Sequence, residues 1–262
     1  MDGNLTAEWW SYFAFPFNLL LGVILLLGTV VLHFYYRERR WVKWLSSIYG
    51  TLWMLGILIL FLLGEGLFAG GWYQTGPFVL IWGIVFIQLG LVILRRLRPL
   101  RTRNILFLFN HVGLWFVIGA SFLGAPDRKT LKMIVPLHRS EYQAVDSYGR
   151  LYPLPFTITL EDFTVEYYAG GIPRRFCSEL TLTKEGELKR VNVEVNEPAS
   201  FGGFKIYQDN YDRQGGRYSV LMLVKDPWLG VVYAGIFMVM AGAIGLLIYG
   251  ALIRERVRKK NI

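Results

Sequence analysis

Five stretches of the chain are apolar for long enough to cross a bilayer, roughly 16–34, 45–63, 78–94, 105–123 and 228–253. A hydrocarbon core accommodates a helix of about 20 apolar residues, so each stretch predicts a transmembrane helix. The second has the loosest boundaries, because Ser46 and Ser47 fall at its start. Between residues 124 and 226 the period changes to two, the signature of half-buried strands. Phe156, Ile158 and Leu160 alternate with Thr157 and Thr159. The alternation resumes out of phase at Phe163, Val165 and Tyr167, which predicts a bulge or bend at Glu161-Asp162. Phe176, Ser178, Leu180 and Leu182 share one face of the next strand, and Val191, Val193 and Val195 form another set. Glu185-Gly186 and Gln214-Gly215-Gly216 supply turns between runs. A last strand over about 218–225 runs almost directly into the fifth helix at Asp226-Pro227.

The predicted architecture is an integral membrane α-helical bundle of about five transmembrane helices with an inserted extracytoplasmic antiparallel β domain. Residues 1–123 form a four-helix membrane region. Residues 124–226 form the β domain, with six or seven strands as a sandwich or open barrel. Residues 227–262 hold the fifth helix and a basic cytoplasmic tail.

Composition agrees with a membrane chain: 54% of the 262 residues are hydrophobic. Charge adds an orientation. Four basic residues fall in 37–43, five in 95–103 and five in 254–260, while 1–36 and 64–77 hold none. Short basic loops stay in the cytoplasm, so the N-terminus and the β domain are expected outside and the C-terminus inside. The β region holds fourteen basic and fourteen acidic residues. The net charge of +9 therefore lies in the membrane region and its loops. With no basic stripe on the β region, nucleic acid is not expected as a partner. No basic n-region is seen near Asp2 and Glu8, so a cleavable signal peptide is not expected. Trp9, Trp10, Tyr12, Tyr35, Tyr36, Trp41, Trp72, Tyr73 and Trp228 lie near span ends and read as aromatic belts.

Candidate chemistry centres on His111. An ionisable residue inside a span is costly and marks a functional site by default. It is expected about six residues into its helix, roughly 9 Å from the cytoplasmic end. Phe107 and Trp115, at i−4 and i+4, share its face. Neutral imidazole is a common axial ligand of haem iron, and flanking rings suit a planar macrocycle. The alternative is an interhelical hydrogen bond to Gln88 or Asn18. His33 sits at the interface, where solvation is its ordinary fate, and His138 reads as a surface residue. Cys177 is the only cysteine, so no internal disulfide or CxxC exchange pair exists. Alternation places it on the polar face with Glu179 and Thr181. Glu65 closes the second span. Gly70-Gly71, Gly170-Gly171 and Gly202-Gly203 are isolated pairs that read as turns, and no hydrolase or transferase constellation is present.

The β region carries a more specific pattern. Tyr142, Asp146 and Gly149 precede Leu154-Pro155-Phe156, then Leu160-Glu161-Asp162-Phe163, Tyr167-Tyr168 and Pro173. Phe176-Cys177-Ser178-Glu179-Leu180, Val195-Asn196-Glu197-Pro198, Gly203-Phe204-Lys205-Ile206-Tyr207-Gln208 and Asp226-Pro227 follow. In this order and spacing, from about His111 to Tyr233, the chain resembles the ResB (CcsB) family of cytochrome c biogenesis proteins. The resemblance implies a non-catalytic subunit in the bacterial inner membrane. With a CcsA-type partner it would export haem b and present it to apocytochrome c, the complex acting as the synthase. It also implies that His111 is an axial ligand to haem iron; Phe107 and Trp115, on the same helix face, would then pack beside the porphyrin. The chain departs from the family in two ways: four spans precede the β region rather than three, and that region is shorter. It also lacks the tryptophan-rich haem-handling loop of CcsA-type proteins, so that half of the machine would be a separate chain. Two other functions fit the same residues. One is a haem b electron-transfer anchor ligated by His33 and His111. The other is a cofactor-free membrane scaffold or sensor.

Overall fold

The computed structural model describes residues 12–68, 75–213 and 215–260. Asp2, Glu8, Trp9, Trp10, the Gly70-Gly71 pair, Trp72, Tyr73 and Gln214 lie outside them. The chain divides into two compact units. One comprises residues 1–127 and 227–262, the other residues 128–226.

The first unit is helical. Its elements are α1 (Phe17–Tyr36), the short α2 (Arg40–Leu45), α3 (Ile48–Phe68), α4 (Gly76–Arg96), α5 (Thr102–Leu123) and α6 (Leu229–Lys260). All except α2 are long and apolar enough to cross a membrane. The second span starts three residues later than hydropathy suggested, because 40–45 coil separately as α2. Leucines and phenylalanines stand exposed along α1, α3 and α6, as lipid-facing helices require.

Interior contacts gather on α4, which buries Phe78, Trp82, Val85, Phe86, Gln88, Gly90 and Leu91. Trp82 stacks on Phe122 at 4.0 Å between ring centroids, and Phe86 stacks on Trp115 at 4.5 Å. Gln88 donates to the carbonyl of Leu45 and so ties α2 to α4. Helices α5 and α6 meet through small residues. A Cβ on Gly113 would lie 2.6 Å from the carbonyl oxygen of Gly235, and one on Gly242 would lie 2.6 Å from the amide nitrogen of Asn110. Lipid is as apolar as leucine, so helices associate in membranes through such close packing.

The second unit is one antiparallel sheet of eight strands. They are β1 (Lys129–Pro136), β2 (Ser140–Asp146), β3 (Leu151–Tyr167), β4 (Pro173–Lys184), β5 (Glu187–Glu194), β6 (Ala199–Phe201), β7 (Phe204–Tyr211) and β8 (Tyr218–Lys225). Their order is β5-β4-β3-β2-β1-β8-β7-β6. This exceeds the six or seven expected; β6, with three residues, is too short to show alternation. The register shifts between Leu160 and Asp162, where the alternation changed phase. Glu185 and Gly186 both take positive φ, 51° and 87°. That is the type I′ hairpin geometry whose twist matches the flanking strands.

The sheet rolls up so that its apolar face becomes a core. Leu131, Met133, Phe156, Ile158, Leu160, Leu180, Leu182, Ile206, Leu221 and Leu223 lie inside it. The curl is visible in a buried polar network joining strands that are not ladder neighbours. Ser178 of β4 donates to Gln208 Oε1 of β7 at 2.6 Å and lies 2.8 Å from Ser219 Oγ of β8. Val195 lies beyond the end of β5 and is exposed, unlike Val193.

Candidate functional site

Helix α5 begins at Thr102, three residues before the apolar run, and the Ile105 amide donates to the Arg101 carbonyl at 2.9 Å to close its first turn. His111 is therefore nine residues in, about 14 Å along a helix of about 33 Å. It sits nearer mid-span than the expected 9 Å.

The ring is oriented from its own helix. Nδ1 lies 2.9 Å from the carbonyl oxygen of Phe107. A carbonyl can only accept, so Nδ1 carries the proton, and in the neutral ring Nε2 keeps its lone pair. Nε2 has no hydrogen-bond partner among the described residues. The interhelical partners expected from sequence are engaged elsewhere. Gln88 bonds Leu45, and Asn18 donates to the Leu123 carbonyl and to Asp127.

Phe107 stacks on the imidazole face, 3.6 Å between centroids and 20° from parallel. The guanidinium of Arg96, at the end of α4, lies 5.2 Å from the Phe107 centroid. Arg96, Phe107 and His111 thus form a column. Trp115 does not join it. Its ring stacks on Phe86 and its Nε1 donates to the Phe86 carbonyl at 3.2 Å. Of the three residues singled out from sequence, the structure brings two together and assigns the third to the α4–α5 contact.

His33 lies near the C-terminal end of α1. Its Nδ1 is buried without a hydrogen-bond partner, and its ring meets Phe34 edge to face. His138 is exposed in the β1–β2 turn at φ 57°. Cys177 lies on the outer face of β4, as alternation indicated, yet it is 9% exposed. It borders a cavity of about 190 Å³ with Thr164, Glu166, Arg175, Glu179 and Asn192. Burial, with help from the Glu194 carboxylate, pushes the thiol above its usual range. A thiol so placed is a poor nucleophile.

Asp127 went unremarked in the sequence. It accepts hydrogen bonds from the Phe15 amide at 2.7 Å, Asn18 Nδ2 at 2.7 Å and Trp228 Nε1 at 2.6 Å. Trp228, half-buried at the start of the last span, packs against the α4 aromatic cluster. The available signal was Asn18, an amide in an apolar run that needs a buried partner.

Residues 101–217, from the start of α5 to just before β8, match the model of the ResB-like family. This segment is ResB-like. It contains the Phe107–His111 pair and seven of the eight strands. Among curated relatives, cytochrome c biogenesis protein Ccs1 of Pyropia yezoensis is 31% identical over 110 residues, 40% of this chain and 25% of that protein. Protein NrfI of Wolinella succinogenes is 29% identical over 93 residues, 34% of this chain and 10% of that protein. The chain thus spans a quarter or less of these relatives. Among solved structures, cytochrome c heme lyase CcmF gives a TM-score of 0.41 at 18% identity, over 89% of this chain and 46% of that one. Outside the ResB-like segment lie α1 to α4 and α6, with His33 and Arg96.

Proposed function

We propose that this protein is a non-catalytic membrane subunit of a cytochrome c assembly machine. With a CcsA-type partner it binds and exports haem b and presents it to apocytochrome c. The observation that carries this reading is the His111 tautomer. A backbone carbonyl holds Nδ1–H, so a neutral imidazole offers Nε2 from inside a span. Such outer hydrogen bonds fix ring orientation and raise ligand basicity at metal centres. Phe107 braces the imidazole from one face, and Trp115 holds α5 against α4. When bound, haem supplies the iron and the side groups that react with the cysteine thiols of the apocytochrome. This chain's residues bind and orient it.

All fourteen basic residues outside the β region fall in three short segments next to the ends of α1, α4 and α6. The positive-inside rule then puts those ends in the cytoplasm and the β unit outside, where apocytochrome c would meet it. That orientation belongs to the same proposal.

The test is co-expression with a CcsA-type protein followed by absorption spectra of the purified complex. His111→Ala is expected to lose most of the haem, and exogenous imidazole to restore part of it. Unchanged haem content and spectrum in His111→Ala would refute the reading. A second reading draws on the unpartnered Nδ1 of His33: an electron-transfer anchor with two histidine ligands in this chain. It predicts six-coordinate haem in the protein purified alone, abolished by His33→Ala. The assembly reading predicts that His33→Ala leaves the spectrum unchanged.

A further inference from the structure

A cavity of about 750 Å³ opens where α1 and α4 end. It is separate from the His111 column. Four cations line it: Arg37, Lys43, Arg95 and Arg98, from the end of α1, from α2 and from the end of α4. One carboxylate, Glu38, faces them. It is bound by Lys43 at 2.7 Å and approached by Arg37 at 3.5 Å. Arg95 donates to the Arg37 carbonyl at 3.3 Å, and Arg98 has no ion-pair or hydrogen-bond partner among the described residues. Clustered guanidinium groups repel one another unless an anion lies among them. The nearby helix C-termini have the wrong sign to attract one, so any anion here is held by these side chains.

Two further observations define the anion. Phe34 and Leu94 form an apolar wall of the same cavity, so the ligand has a hydrocarbon part beside its charged head. Tyr35, Trp41 and Trp44, next in sequence to lining residues or within three of them, stand exposed. Aromatic side chains of this kind sit at headgroup level, which sets the depth of the cavity. The volume lies in the range of small-molecule sites rather than that of a single ion. His33 also lines the cavity.

We propose that this cavity is a binding site for the phosphate headgroup of an anionic phospholipid, with Arg95 and Arg98 as its main contacts. Basic pockets between membrane helices hold such headgroups. The lipid fills a space between α1, α2 and α4 that protein side chains leave open, and so braces the bundle beside α5.

The test uses the full chain in neutral detergent with tail-labelled phosphatidylglycerol and phosphatidylcholine as probes. Phosphatidylglycerol is expected to bind at least about tenfold more tightly. A cation near an anionic headgroup is worth about fivefold in affinity. Arg95→Gln/Arg98→Gln should then weaken phosphatidylglycerol about 25-fold and leave phosphatidylcholine unchanged. Arg101→Gln/Arg103→Gln removes two nearby charges at the start of α5, outside the cavity, and should change affinity by less than about twofold. Equal affinity for the two lipids in the wild type would overturn the site without recourse to any variant. So would an equal loss in Arg101→Gln/Arg103→Gln, which would mean diffuse attraction. Stoichiometric displacement of the lipid by haem would reassign the cations to porphyrin carboxylates and overturn the lipid assignment.

Discussion

Asp127 connects the start of α1, the end of α5 and the start of α6, and replacing it tests whether those three ends are held by one carboxylate. In Asp127→Ala, the Phe15 amide, Asn18 Nδ2 and Trp228 Nε1 each lose an acceptor at 2.6–2.7 Å. Hydrogen bonds to a charged group contribute about 1.5–3 kcal/mol each. The upper end does not apply to all three. Phe15 is exposed, and its freed amide can turn to water. Asn18 is 1% exposed, but keeps its bond to the Leu123 carbonyl. We expect a loss of about 4 kcal/mol in Asp127→Ala, and about half that in Asp127→Asn, which retains a neutral acceptor. Reversible unfolding of the full chain in bicelles gives the free energies. Combining Asn18→Ala with Asp127→Ala should be less destabilising than the sum of the two by about 1–2 kcal/mol, since both remove the same bond. A loss in Asp127→Ala below about 0.5 kcal/mol, or strict additivity with Asn18→Ala, would refute the reasoning.

Three further outcomes follow from the packing and electrostatics. Gly113→Val should force α5 from α6 and cost about 2–3 kcal/mol, read as a lower unfolding midpoint in detergent. Gly230→Val, with open space around it, should change the midpoint little. Arg175 donates to Glu194 and holds its carboxyl below the usual range. The pair therefore stabilises the β unit above the ordinary carboxylate range and loses that effect as pH falls through the depressed value. The excess protease resistance of wild type over Glu194→Gln should accordingly be present at neutral pH and vanish in acid. Cys177 should react with maleimide at neutral pH roughly tenfold or more slowly than a free thiol. The rate should rise when alkaline pH ionises it.

Much of the architecture was legible because transfer from water acts on each residue separately. Five apolar runs gave five long helices, since a bilayer sets their length. The phase change at Glu161-Asp162 marked a true bulge, because a strand must keep its apolar side inward across an inserted residue. Glu185-Gly186 marked a true turn, because few residue pairs tolerate two positive φ angles. The site was legible only as residue types. His111 stood out as a costly group in oil, and Phe107 as its neighbour one turn away. The sequence did not reveal that α5 starts three residues early, that Trp115 turns to Phe86, or that Asn18 reaches Asp127 rather than His111.

Hydropathy and local turn chemistry were thus enough to specify a bundle of five spans carrying a β insert, with one imidazole left to be explained. Only the tertiary structure decided the proton position on that imidazole, the glycine contact of α5 with α6, and the cations gathered at the ends of α1 and α4. The reason is range. Apolar periodicity is written within a few residues, whereas each of these features depends on the coordinates of particular atoms: a backbone carbonyl one turn away, or side chains brought together from more than 50 residues apart.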